Sequence, residues 1–146
     1  MLKIDRDNQS FSLLDTPTLA DVSITERYDL QEFISNSPAD FFKEIGQELF
    51  LLGTEIEPSK NVQDRIDLLA VDNEGTCVVI ELKRGNNKLH MLQGISYSGM
   101  ISHWEPDDFL QLLNDGQQDA LLDFLEVDRE DINRQQRIIL VAEAYD

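Results

Sequence analysis

The chain of 146 residues is poor in cysteine, histidine and basic residues, with one Cys, two His and 12 Lys plus Arg against 29 Asp plus Glu. A single cysteine excludes an intramolecular disulfide and a cysteine-rich zinc site, and two histidines argue against a histidine-based metal site. A bound metal would therefore be held mainly by oxygen atoms. The formal net charge of −17 also argues against a general nucleic-acid surface, because Lys and Arg supply most of the affinity for phosphates.

Long apolar runs are also missing. No stretch approaches the roughly 18 apolar residues of a membrane helix, and the start "MLKIDRDNQSF" lacks the order of a secretory signal. We therefore expect a cytoplasmic protein without a membrane partner. The length suits a single domain, with an irregular segment at 1–22 and a core at 23–146. Because the chain stops three residues after its last predicted strand, we expect it to be the N-terminal part of a longer protein.

The charges are unevenly distributed. Segment 105–131 carries ten acids and only one basic residue, Arg129. Such a run is typical of solvated helix faces, and it could also serve as a contact surface for a protein partner or a homo-oligomer. Five of the basic residues cluster between positions 60 and 88, which weakens the charge argument against nucleic acid: Lys60, Arg65, Lys83, Arg84 and Lys88.

Hydrophobic periodicity and turn residues predict an α/β fold. We expect a helix at 23–34, a short helix from Ser37, a strand at 48–57, a hairpin of "RIDLLAV" and "TCVVIELK" joined by "DNEG", a helix at 89–104, two short acidic helices and a strand at 137–143.

Several local signals support these elements. Ser23 and Glu26 have the spacing of a capping box, and Pro38 follows Ser37 at a first helical position. Asn114 and Gly116 favour a stop between the acidic helices. In the helix at 89–104, the predicted buried stripe contains Leu89, Leu92, Ile95 and Trp104, widened by Met100 and Ile101.

The hairpin carries charges in strands that otherwise look like core. Alternation puts Val79, Glu81 and Lys83 on one face of their strand, and the "DNEG" turn places Asp67 opposite or diagonal to Glu81. Like charges paired in this way are destabilising unless a positive charge compensates. Lys83 or a divalent cation could do so, and Mg²⁺ is the natural candidate for carboxylate oxygens. The same groups could serve metal-assisted hydrolysis, although an acid-x-Lys pair at a strand end is also commonly a solvated surface feature.

The hairpin and its surroundings resemble the PD-(D/E)XK nuclease superfamily. Asp67 lies on one strand and Glu81-Leu82-Lys83 on the next, and "RIDLLAVDNEGTCVVIELKRG" is similar to the catalytic domain of NucS/EndoMS-type endonucleases. Gln93 and Tyr97 match a Gln-x-x-x-Tyr motif of RecB-like members. The resemblance covers residues 23–104 and, more loosely, 137–143. It implies a restriction-endonuclease-like α-β-β-β-α-β core, with a central mixed sheet flanked by helices and extra short acidic helices before the last strand.

The resemblance also implies roles for individual residues. Asp67 and Glu81 would hold Mg²⁺ or Mn²⁺, and Lys83 would assist the attacking water. Gln93 and Tyr97 would support the site or contact the nucleic-acid backbone, although a helix face with one packed tyrosine is the alternative. An acid of the first helices often joins such a site; Glu26 matches best, and Glu44 and Glu48 are weaker alternatives. Glu26 is equally well explained as a capping residue.

Two functions remain open. The first is a metal-dependent DNA endonuclease or exonuclease, with single-stranded, flapped or mismatched DNA as substrates by resemblance and Lys60, Arg65, Arg84 and Lys88 as its DNA-binding residues. The second is a catalytically inactive nuclease-fold module that binds a protein partner through its acidic helices. The low basic content favours the second, and the complete set of site residues favours the first.

Overall fold

The computed structural model describes residues 2–16, 21, 23, 27–83 and 89–142. They form a mixed α/β fold in which a four-stranded sheet is flanked by helices. The elements in chain order are β1 (Leu2–Asp5), β2 (Ser10–Leu13), α1 (Arg27–Asn36), α2 (Pro38–Glu44), β3 (Leu49–Ile56), β4 (Ile66–Asp72), β5 (Cys77–Lys83), α3 (Leu89–Ile101), α4 (Pro106–Leu110), α5 (Asp115–Phe124), a 3₁₀ turn (Arg129–Asp131) and β6 (Gln136–Ala142).

The sheet has the order β3-β4-β5-β6. The first two pairings are antiparallel and β5 pairs with β6 in parallel, so the sheet is mixed as predicted. The central strands β4 and β5 are buried along almost their whole length, because helices cover both faces of the sheet. Gly75 closes the β4–β5 turn with a φ of 82°, a conformation that glycine adopts without strain.

Side chains of β4 and β5 alternate between two cores. Leu69 and Val79 pack toward Tyr97 and Ile101 of α3 and toward α4 and α5. On the opposite face, Leu68, Ile80 and Leu82 are buried against the helices α1 and α2. The helices contribute Ile34 and Phe42 to this second core. The predicted alternation along the second hairpin strand is therefore confirmed.

The beginning of α1 differs from the prediction. The described part of α1 runs from Arg27 to Asn36. Ser23 has a φ of 62°, unlike the extended backbone of a helix N-cap, so the predicted cap at Ser23 is wrong. Glu26, its predicted capping-box partner, lies outside the described residues. The second helix begins at Pro38 as predicted, although the Ser37 side chain makes no capping hydrogen bond.

Asn114 was predicted to stop a helix and instead begins one. Its side-chain oxygen accepts a hydrogen bond from the Gln117 backbone N–H at 2.9 Å, and the Gln117 side chain accepts one from the Asn114 N–H at 3.0 Å. Gly116 lies inside the first turn of α5. The break between the acidic helices is where we expected it, but its cause is this capping box rather than a glycine stop.

The predicted buried face of α3 is wrong in its first half. Leu89, Leu92 and Ile95 are 51 to 61% exposed, and α3 buries Gly94 and Tyr97 in their place. Ile101 is buried as predicted, and Met100 and Trp104 are partly buried against the same core. The reason for the difference in the first half is close packing at Gly94, where a Cβ would lie 2.9 Å from Cγ2 of Ile138 on β6. A small residue lets the helix approach the sheet there, whereas a stripe of large side chains would hold it away.

The N-terminal segment was predicted to be irregular, yet it forms the β1–β2 hairpin. Leu2 pairs with Leu13 and Ile4 with Phe11 in an antiparallel register. Alternation places these four apolar residues on one face of the hairpin, and each is more than half exposed. The segment is too short and too mixed in character for its strand periodicity to stand out in the sequence.

The described part of the chain contains no helix of the length and apolar character that crossing a membrane requires.

Candidate active site

Asp67 and Glu81 face each other across the β4–β5 hairpin. The register pairs Leu68 with Ile80, and one further step places Asp67 opposite Glu81. The Leu82 N–H donates to Asp67 Oδ2 at 2.8 Å, and the Asp67 N–H lies 3.4 Å from Glu81 Oε1. The predicted juxtaposition of these two carboxylates is therefore present in the structure.

Both carboxylates sit inside the fold. Asp67 is 0% and Glu81 3% exposed. Each carboxylate accepts a hydrogen bond from a backbone N–H of the facing strand, just beyond Leu68 and Ile80, where the regular β4–β5 pairing stops. Two ionised acids that face each other in a medium of low polarity repel each other, and a positive charge beside them offsets that repulsion.

Glu55 is a third acid beside this pair, and no signal in the sequence indicated it. The β3–β4 register pairs Thr54 with Leu68 and Ile56 with Ile66, which places Glu55 across from Asp67. Three neighbouring strands thus carry acids at the same level of the sheet. The φ of Glu55 is 52°, a left-handed conformation that costs a residue other than glycine about 1 to 2 kcal/mol. Such strain is concentrated at functional positions.

A cleft of about 290 Å³ opens above this row of acids. Four of the predicted site residues line it, namely Arg65, Glu81, Gln93 and Tyr97, and three further polar residues complete its wall: Glu55, Gln63 and Asp64. Asp67 lies buried next to the wall, behind its contacts with Leu82 and Glu81. The resemblance groups Glu81 of the hairpin with Gln93 and Tyr97 of the following helix, and these three residues line the same cleft.

Helix α3 forms one side of the cleft because it packs directly on β5 and β6. A Cβ on Gly94 would lie 3.9 Å from Cγ of Glu81, so the helix backbone passes close to the acid. Gln93 and Tyr97 are one helical turn apart and both reach the cleft. Tyr97 is only 4% exposed and also belongs to the core, so it both packs in the core and lines the cleft.

The charge of the cleft is negative. Its described walls contain three carboxylates, those of Glu55, Asp64 and Glu81, against the single cation Arg65. Arg65 forms a 3.2 Å ion pair with Glu57 and donates to the Glu55 carbonyl oxygen at 3.2 Å. Because both partners of that ion pair are about half exposed, solvent screens it, and it offsets little of the charge inside the cleft.

The other predicted basic residues that the structure describes, Lys60 and Lys83, do not line the cleft. Lys83 ends β5, is partly buried and shares the Glu81 face by alternation. It is not among the residues that line the cleft. Lys60 is exposed in the connection between β3 and β4, and the predicted DNA-binding residues Arg84 and Lys88 lie outside the described residues.

Neither described alternative for the helix acid reaches the cleft. Glu44 and Glu48 are exposed, and Glu48 borders a separate cavity near Phe42 and Gly46. Glu26 lies outside the described residues. Among described residues, Glu55 on β3 and Asp64 are the acids that line the cleft together with Glu81.

The donor atoms suit a hard divalent cation. Mg²⁺ keeps several of its waters and is commonly held by one or two carboxylates, which Asp67 and Glu81 supply. In the described ranges no group of three or more His, Cys, Asp or Glu side chains is arranged to hold a metal ion. The residues therefore fit a site with two carboxylates and water ligands, and they do not form an all-protein cage.

Comparisons of the chain with models of protein families, with curated proteins and with solved structures give no match.

Proposed function

We propose that this chain is a metal-dependent nuclease of the PD-(D/E)XK type, acting on DNA. The observation that carries the proposal is the meeting of Glu81, Gln93 and Tyr97 at one cleft, with Asp67 facing Glu81 behind its wall. The element order α1, β3, β4, β5, α3, β6 supports it, because that is the order expected of a restriction-endonuclease-like core.

Asp67 and Glu81 are the residues that would hold Mg²⁺ or Mn²⁺. A divalent ion held there would supply a water of lowered pKa and would stabilise negative charge on a phosphate. Lys83, one alternation beyond Glu81 on β5, would orient the attacking water from its ammonium group. In the reaction the water oxygen forms a bond to phosphorus, and the bond from phosphorus to one ester oxygen breaks.

The negative cleft explains why the proposal requires a metal. Glu55, Asp64 and Glu81 would repel a phosphodiester, and a divalent cation reverses the sign of the local field. Gln93 would donate a hydrogen bond to the nucleic-acid backbone. The affinity for DNA would come from the basic residues at 60–88, of which Arg65 lies at the cleft itself.

The test is cleavage of end-labelled single-stranded, flapped, mismatched and fully paired DNA with Mg²⁺ or Mn²⁺. We expect cleavage to be lost with chelator and to fall at least 100-fold in Asp67→Asn and Glu81→Gln, because each removes a charged ligand. Lys83→Met should lose cleavage but keep the metal. Binding of Mn²⁺ alone, measured by calorimetry, gives a readout that does not depend on the substrate.

Glu74→Gln is the matched control, because it neutralises an exposed acid on the turn of the same hairpin, outside the cleft. It should bind Mn²⁺ and cleave DNA as the unmodified chain does. Mn²⁺ binding that is unchanged in Asp67→Asn and Glu81→Gln would contradict the proposal, and so would cleavage that survives in both variants.

A protein-interaction module is the second candidate, favoured by the acidic face of α5. Asp115, Asp119 and Asp123 follow one another at intervals of four residues and are all exposed. This function predicts a partner with a basic surface. Its binding should survive Asp67→Asn and be lost when Asp119 and Asp123 are changed to lysine, and the reverse pattern would assign the interaction to the cleft.

A further inference from the structure

The described structure leaves two apolar surfaces exposed. One is the hairpin face, formed by Leu2, Ile4, Phe11 and Leu13, which are 54 to 78% exposed. The other is the outer face of α3, formed by Met91, Leu92 and Ile95, which are 51 to 61% exposed. Exposed apolar groups gathered in this way typically mark an interaction surface rather than ordinary exposed side chains.

The two surfaces have the shapes that pack together. The hairpin face is one side of a two-stranded ribbon, with the other side occupied by Lys3, Asp5, Ser10 and Ser12. A two-stranded ribbon is marginally stable unless its apolar face is covered, for example by a helix. The outer face of α3 is such a helix surface, and it lies opposite the buried residues Gly94, Tyr97 and Ile101.

Charge argues for a partner that is itself apolar. Helix α3, "LHMLQGISYSGMI", contains no Asp, Glu, Lys or Arg, although the chain as a whole carries a net charge of −17. An uncharged surface gives a nucleic acid or a basic protein nothing to pair with. It also lets two copies of a strongly acidic chain approach each other with little local repulsion, as the charge-depleted cores of interfaces do.

Area decides between two ways of joining two copies. With about 150 Å² for a fully exposed large side chain, pairing only the outer faces of two α3 helices would bury about 500 Å². A reciprocal exchange, in which each hairpin face covers the other copy's α3, would bury about 1,300 Å². Only the exchange exceeds the roughly 1,000 Å² expected of a specific interface.

We propose that two copies of this chain form a symmetric dimer in which the β1–β2 hairpin of each copy packs on the outer face of α3 of the other. The contact is isologous, so both apolar surfaces of each copy are covered by the other copy. It is independent of the proposed nuclease function. Because Gln93 and Tyr97 lie on the same helix, the contact would place a second copy beside each cleft.

Sedimentation velocity of the full chain over a range of concentrations tests the dimer. Leu92→Glu with Ile95→Glu, and separately Ile4→Glu with Phe11→Glu, should each weaken dimerisation at least about tenfold, as the loss of a buried hot spot does. The control is Leu122→Glu, at a residue 43% exposed on α5, and it should leave the dimer intact. Far-UV circular dichroism checks that each variant is folded.

Cross-linking identifies the contact without added charge. A chain with Ile4→Cys is mixed with a differently tagged chain with Leu92→Cys and treated with a short bis-maleimide, while the native Cys77 is buried. A cross-link between the two tags supports the exchange. A monomeric unmodified chain would overturn the proposal, and so would a dimer that survives the hairpin variant. It would also be overturned if the cross-link formed only when Ile4→Cys and Leu92→Cys are placed in one chain.

Discussion

Two glycines of one helix offer a test of how α3 packs. Gly94 and Gly99 both lie within Leu89–Ile101, so the same change to alanine gives each a similar gain of about 1 kcal/mol in helix propensity. A Cβ at Gly99 would meet no heavy atom of the described residues within 4 Å, whereas a Cβ at Gly94 would lie 2.9 Å from Ile138 Cγ2. The difference between the two variants therefore isolates the cost of the contact with the sheet.

The size of that cost follows from the geometry. Non-bonded carbons normally stay about 3.5 to 4.0 Å apart, so α3 and β6 must separate by about 0.5 Å or more. Ile138 cannot simply rotate its Cγ2 away, because a β-branched side chain is restricted at χ1. Overpacking of this kind costs about 1 to 3 kcal/mol. We expect Gly99→Ala to stabilise the chain by about 0.5 to 1 kcal/mol, and Gly94→Ala to be about 1 to 3 kcal/mol less stable than Gly99→Ala.

Urea unfolding at one fixed, low protein concentration measures both values. Gly94→Ala should also weaken Mn²⁺ binding, since Gly94 lies against Glu81 and is next to Gln93. Equal stability of the two variants, or a Gly94→Ala chain more stable than the unmodified one, would refute the close approach of α3 to β6.

Two further predictions concern buried polar groups. Burial raises the pKa of the Cys77 thiol far above its ordinary value, so the native chain should react with a thiol reagent only slowly. The reaction should stay slow as the pH rises through 8 to 9, where a free thiol of ordinary pKa about 8.5 ionises, and should become complete in urea; fast native labelling would contradict the burial. Asn133 donates to the carbonyl oxygens of Ile101 and Trp104 at 2.8 and 3.0 Å. Asn133→Asp replaces that donor with an acceptor and should destabilise the fold by about 1 to 3 kcal/mol in urea unfolding, whereas an unchanged midpoint would show that these bonds contribute little.

The hairpin was predictable because its signals are local. Alternation of apolar residues and the "DNEG" turn identify β4 and β5 and their pairing, and with it the meeting of Asp67 and Glu81. The side-chain period of two leaves little freedom once a short turn sets the register. Gln93 and Tyr97 were predictable as helix neighbours for the same reason, since spacing along one element is visible in the sequence.

Glu55 was not predictable, because the connection between β3 and β4 is nine residues long, from Glu57 to Arg65. A connection of that length does not set a register, and a pairing irregularity between Leu51 and Gly53 shifts it further. The unusual backbone of Glu55 leaves no trace in its residue type. Only the folded sheet places Glu55 across from Asp67.

The face that α3 presents to the sheet was also decided by the fold. Hydrophobicity favoured burial of Leu89, Leu92 and Ile95, and the structure exposes them. The tight contact at Gly94 outweighs the larger apolar area that α3 would bury if it were rotated about its axis. The sequence by itself thus determined the hairpin, its facing acids and the order of the elements after residue 37, all of which depend on local spacing. The tertiary structure decided which acid joins them, which helix face is buried and which apolar surfaces remain exposed, because these depend on contacts between residues far apart in the chain.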